Sequence, residues 1–124
     1  ETRVLEIVPT SIGNSRRVGP DWGSQHEKWA WSTLAPNGKL YAVACNRDQV
    51  LEIDPADLTA TGIRLVGPVL SHTDIHKYFA ASVASNGKLY AFPWYGTSKI
   101  LEIDTHARGH FDRDLLLNGH LNGQ

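Results

Sequence analysis

The sequence predicts an all-β fold made of repeated four-stranded units, and three observations predict it. The run Asn37-Gly38-Lys39-Leu40-Tyr41-Ala42 returns as Asn86-Gly87-Lys88-Leu89-Tyr90-Ala91. The run Val50-Leu51-Glu52-Ile53-Asp54 returns as Ile100-Leu101-Glu102-Ile103-Asp104, and its first four positions also stand upstream as Val4-Leu5-Glu6-Ile7. Between these landmarks lie short runs rich in β-branched and aromatic residues and bounded by turn residues, the pattern of strands. Aligning 28–55 with 77–105, with one extra residue placed at Gly96, gives twelve identities in twenty-eight pairs. The offset is 49 before that insertion, 50 after it and 46 from Leu5 to Leu51, a period near 48 residues. Strand-like units at such a period point to the blades of a β-propeller rather than to a helical array.

In chain order, the first unit supplies two strands, 3–8 and 16–19, and its Val18-Gly19-Pro20 matches Val66-Gly67-Pro68. The middle unit supplies four, at 28–35, 39–45, 49–54 and 61–66. Asn37-Gly38 favours a hairpin between the first two through a two-residue turn with both φ angles positive. Polarity alternates only weakly along 39–43 and 50–54, which predicts sheets covered on both faces. Pro55 ends the third strand, since proline cannot donate to a ladder. The third unit repeats the plan at 77–84, 88–94 and 99–104. Its fourth strand is expected around 113–117, because Leu51 to Val66 and Leu101 to Leu116 both span 15 residues, with a short helix at 112–117 as the competing reading. The expectation is a propeller segment of about two and a half four-stranded antiparallel blades, divided as 1–20, 28–68 and 77–117.

A chain of 124 residues accommodates one ordinary domain. Twelve basic side chains against thirteen acidic ones, with no long basic run, argue against a nucleic-acid partner. No apolar run approaches the roughly 20 residues of a membrane helix, so a soluble segment without a membrane span is expected. A lone Cys45 excludes an internal disulfide. Propellers remove their sheet edges by closing a ring of about four to eight blades, which two and a half blades cannot do. That shortfall, with the absence of any Met, leads to the expectation of missing blades supplied by more of the same chain or by other copies in a larger assembly.

With Asn-Gly-Lys-Leu-Tyr-Ala followed by Val-Leu-Glu-Ile-Asp-Pro, the chain resembles repeats of the broad kelch, NHL and YVTN-like propeller group, and more narrowly repeat proteins with an NGK-[LI]-Y and VL-x-ID pattern in each blade. The resemblance covers nearly the whole chain and implies the propeller fold. It implies no activity, because that fold carries lectins, hydrolases, lactonases and scaffolds alike.

Positions retained between the units serve the fold, and the loops where the units differ are where function is expected. Those loops hold Trp22 and His26, Arg47 and Asp48, His72, Asp74 and His76, and Trp94 and Tyr95, the residue types rigid scaffolds use for recognition. Of the four Trp, Trp29 aligns with Tyr78 and is assigned to packing, whereas Trp22 and Trp94 have no aromatic counterpart and are candidate contacts, with Tyr95 beside Trp94. Exposed aromatics with an adjacent Arg47 fit a protein hot spot or a sugar platform equally. His72 and His76, like His106 and His110, are four apart, a spacing that converges only on a helix, and neither pair is assigned to metal. Ser71, His72 and Asp74 lack the turn that presents a nucleophile. Glu6, Glu52 and Glu102 recur in one strand position and Lys39 and Lys88 in another, which predicts a structural pairing within each unit rather than a ring of calcium ligands. The expected function is a non-enzymatic scaffold or accessory subunit that presents its loop face to a protein partner, without catalytic residues, metal or cofactor. A glycan-binding, lectin-like propeller and a metal-dependent, lactonase-like hydrolase are the alternatives.

Overall fold

The computed structural model describes residues 2–71 and 73–105. Among them are nine strands, one turn of 3-10 helix at Ile12–Asn14 and no α-helix. The strands are β1 (Val4–Glu6), β2 (Arg16–Val18), β3 (Trp29–Leu34), β4 (Leu40–Ala44), β5 (Val50–Ile53), β6 (Ile63–Val66), β7 (Tyr78–Val83), β8 (Leu89–Pro93) and β9 (Leu101–Ile103). They form three antiparallel sheets in which neighbours in sequence are neighbours in space: β1-β2, β3-β4-β5-β6 and β7-β8-β9. The strand or helix expected at 113–117 lies outside the described residues.

Register repeats with the sequence. Tyr41 faces Glu52 across β4 and β5, and Tyr90 faces Glu102 across β8 and β9. Glu52 faces Arg64 across β5 and β6, as Glu6 faces Arg16 across β1 and β2. Even the irregularities recur, with a bulge between Trp29 and Trp31 in β3 and between Tyr78 and Ala80 in β7. A bulge adds one residue to a strand and sharpens its local twist. The extra residue of the third unit is displaced by one from its expected place. Asn46 donates to the Glu27 carbonyl as Gly96 donates to that of His76, which makes Tyr95 the inserted residue.

The two-residue hairpin turn expected at Asn37-Gly38 is corrected to a three-residue loop. Gly38 donates to Ala35 and Ala35 to Lys39, with φ positive at Gly38 (84°) and not at Asn37. The second hairpin has the same bonds at Ala84, Gly87 and Lys88. This is the hairpin loop in which a turn ends in a left-handed glycine. Asparagine is needed for its side chain instead. Asn37 Oδ1 accepts the Lys39 amide (2.9 Å) and Nδ2 donates to the Tyr41 hydroxyl (2.9 Å). Asn86 does the same for Lys88 and Tyr90.

From there one network runs through each of these two units. The Tyr41 hydroxyl donates to Glu52 Oε2 (2.7 Å), while Arg64 and Lys39 meet Oε1 at 2.9 and 3.5 Å. Tyr90 donates to Glu102 at 2.9 Å and Lys88 lies 3.5 Å from it. The recurring Glu thus pairs with the recurring Lys as expected, but its closest partner is the tyrosine, which sequence reading left unassigned. Burial of the Tyr41 phenol, helped by the Glu52 charge, holds its pKa far above the ordinary tyrosine range.

Each face of the middle sheet packs on a neighbour. Tyr41, Val43, Val50 and Val66 form one buried cluster with Tyr78, Ala81, Leu89, Ala91, Leu101 and Ile103 of the third sheet. Ala42, Leu51 and Ile63 form another with Val18, against which Val4, Trp22 and Trp29 pack. The two-sided burial expected from weak alternation therefore holds for β4 and β5, whereas β8 alternates between buried and more exposed positions.

Candidate recognition surface

The loops that differ between units converge. Gln25 Nε2 donates to the Asn46 carbonyl, Asn46 Nδ2 to that of His26, and the His76 amide to Asn46 Oδ1 (2.8 Å). Asn46 thus ties together three loops drawn from two units. Glu27 and His76, at equivalent positions, both have positive φ (48° and 53°), and their side chains meet at 2.9 Å between Oε2 and Nε2. Left-handed backbone at non-glycine residues costs free energy and persists only where the surroundings enforce it. Here the enforcement comes from the carbonyls of these two residues, which accept the Asn46 and Gly96 amides.

Lys77 pins the same region from below. Its fully buried ammonium donates to the carbonyls of Arg47 (3.0 Å) and Asp74 and lies 3.5 Å from that of Cys45. Burial lowers its pKa below the ordinary lysine value, against the opposing pull of Asp48 and Asp74. An ammonium donating to three backbone carbonyls is a fixture of the loops and not a free nucleophile. Cys45 is likewise buried, and that burial raises its thiol pKa.

Two aromatic groups stand on this frame. Trp22 and Trp29 meet edge to face at 5.6 Å, with the Arg47 guanidinium 6.0 and 5.8 Å from their ring centres. Arg47 also donates to the Trp22 carbonyl, and Trp29 Nε1 donates to the Gln49 carbonyl (3.0 Å). In the second group the His76 ring lies 4.8 Å from both Trp94 and Tyr95, which are 5.3 Å apart, and Phe79 is 6.3 Å from Trp94. Tyr95 remains 72% exposed.

The structure places Arg47 with Trp22 and Trp29, and Trp94 and Tyr95 with His76. His26 lines a cavity beside Trp22 and Trp29. Asp48 accepts the Leu70 amide through its carbonyl, and Asp74 donates its amide to Ser71 Oγ. His72, His106 and His110 lie outside the described residues. Among the described residues no three His, Cys, Asp or Glu side chains converge as a metal-ligand group, and no helix is long and apolar enough to cross a membrane. Sequence reading missed Glu27, Asn46 and Lys77 as organisers of the surface. For Lys77 a signal existed, since lysine stands at 28 and 77 in both units. For Glu27 and Asn46 none did, because their counterparts are different residues. No protein-family model matches the chain, and comparison with curated proteins and with solved structures returns no match.

Proposed function

We propose that this chain is a β-propeller segment of about two and a half blades that works as a non-enzymatic scaffold, holding a protein partner on its loop surface. The observation that carries this reading is the group of His76, Trp94 and Tyr95 beside Glu27. Its backbone is fixed by Asn46, which accepts the His76 amide, and by the Lys77 carbonyl, which accepts the Trp94 amide, while Tyr95 stays largely in solvent. Rigid, exposed aromatic side chains lose little conformational entropy on contact, which is why they concentrate binding energy at interfaces. The repeated register and the stacking of one sheet's face on the opposite face of the next support the propeller architecture.

The test is a double substitution, Trp94→Ala with Tyr95→Ala, assayed by quantitative co-purification and by circular dichroism. Partner retention is expected to fall at least tenfold while the β-sheet spectrum is unchanged, since two hot-spot aromatics are worth about 2 kcal/mol or more together. Unaltered retention refutes the reading. Retention lost in parallel with binding to a glycan array assigns the surface to carbohydrate instead.

A further inference from the structure

The first sheet reproduces half of the middle one. Val4, Leu5 and Glu6 pair with Val18, Arg17 and Arg16 in the register in which Val50, Leu51 and Glu52 pair with Val66, Leu65 and Arg64. The Trp22 amide donates to the Thr2 carbonyl as the Leu70 amide donates to that of Asp48. By this equivalence the edge of β1 that is unpaired among the described residues corresponds to the edge of β5 that pairs with β4. Unpaired strand edges are templates for another strand.

What belongs there is written in the neighbouring interface. Tyr41 is buried in one cluster with Ala91, Leu101 and Ile103 of the third sheet. The equivalent residues of the middle sheet, Ala42, Leu51 and Ile53, instead line an open cavity of about 570 Å³, walled by Val4, Trp22 and Trp29. On the same strand as Val4, Glu6 is held by Arg16 at 2.8 Å, with its side chain 34% exposed, whereas Glu52 with its tyrosine and lysine is 1% exposed. We infer that β1 and this cavity receive a β-hairpin of the chain's own repeat type. Its second strand reads Lys-Leu-Tyr-Ala, with the tyrosine opposite Glu6 and its ring on Ala42, Leu51 and Ile53. Backbone pairing with β1 supplies affinity, and the tyrosine and lysine meeting Glu6 supply register. The inference rests on the internal repeat and not on what the loop surface binds, so either reading can fail alone.

The experiment joins a second copy of residues 27–47 directly ahead of Thr2 in the otherwise full chain, restoring the 46-residue offset that separates Leu5 from Leu51, and follows amide exchange at Leu5, Glu6 and Ile7. Exchange there is expected to slow by roughly tenfold or more as the edge becomes paired. That protection should shrink when the added copy carries Tyr41→Ala, and again when the host carries Glu6→Gln. Equal protection with the Tyr41→Ala copy would refute the register. As a second format, a synthetic 27–47 peptide is titrated into the unmodified chain while the Ala42, Leu51 and Ile53 methyl signals are followed. Saturable shifts confined to that floor support the inference, and no response in either format overturns it.

Discussion

Tyr41 and Tyr90 stand in the same motif, on equivalent strands, with the same asparagine, lysine and glutamate around them. Tyr41 is fully buried and Tyr90 only partly so. The difference comes from what lies against each sheet. The middle sheet has neighbours on both faces, while the third is covered, among the described residues, only on the side that meets the middle sheet. Arg64 of β6 adds two hydrogen bonds to Glu52 Oε1, from its Nε and Nη2. One hydrogen-bonded network is thereby placed in two dielectric settings, and the energetic worth of each bond should follow the setting and not the motif.

The glutamate series gives the largest expected contrast. Removing one partner from a buried charge network costs about 3 kcal/mol or more, which is the expectation for Glu52→Ala. Glu102→Ala should cost about 1 to 2 kcal/mol, because water reaches its remaining partners. Glu6→Ala, at an exposed pair, should cost less than about 1 kcal/mol. Urea unfolding of the three variants measures the order directly, and equal losses at Glu52 and Glu102 would break the comparison.

Next come the tyrosines. Tyr41→Phe should cost about 1.5 to 2 kcal/mol and Tyr90→Phe about half of that, since only at Tyr41 is the bond to the charged carboxylate kept from water. The alkaline limb of stability sharpens the contrast. Burial raises the Tyr41 and Tyr78 pKa values above the ordinary 10.0, so above that pH the unfolded chain gives up phenolic protons that the folded chain retains. Stability contributed by these groups is complete below pH 10 and lost as pH rises. Lys77, whose pKa burial lowers from 10.5, acts oppositely, adding stability as pH climbs towards that value. Unfolding free energy measured from pH 9 to 12 should fall above pH 10.5, less steeply in Tyr41→Phe. An unchanged slope would contradict the assignment to Tyr41.

The smallest contrast is expected where the two units share a backbone conformation. Gly38, exposed, and Gly87, buried, have φ of 84° and 82° in loops closed by the same hydrogen bonds. Replacing either with alanine should cost about 1 to 2 kcal/mol from left-handed backbone alone. Nothing within 4 Å would meet a Cβ at Gly38, so no clash adds to that figure. Equal thermal shifts for the two variants would confirm that the loop's cost is local, and unequal shifts would tie it to packing.

Much of the fold was legible in the sequence because the chain states it more than once. Strand positions, the pairing of the recurring Glu with Lys, and the hairpin order all follow from comparing the units. The turn was misread because Asn-Gly is a strong local signal, and Pro36, Asn37 and Gly38 form a longer loop in which the asparagine reaches Tyr41. The recognition surface was legible only as a set of loops. That Arg47 joins Trp22 and Trp29 while Trp94 joins His76 depends on contacts between units, which no local pattern encodes.

The sequence by itself determined the period, the strands and the recurring Asn, Lys, Tyr and Glu, because these act over distances of one hairpin, where spacing along the chain fixes proximity. The tertiary structure alone decided which copy of that network is dry and which wet, and that Lys77 spends its ammonium on three carbonyls beneath the loops. It also set an open cavity beside β1, the strand that carries Glu6, whose counterpart Glu52 holds a tyrosine. Those outcomes turn on burial between sheets, a property of the stacked units that identical sequences do not share.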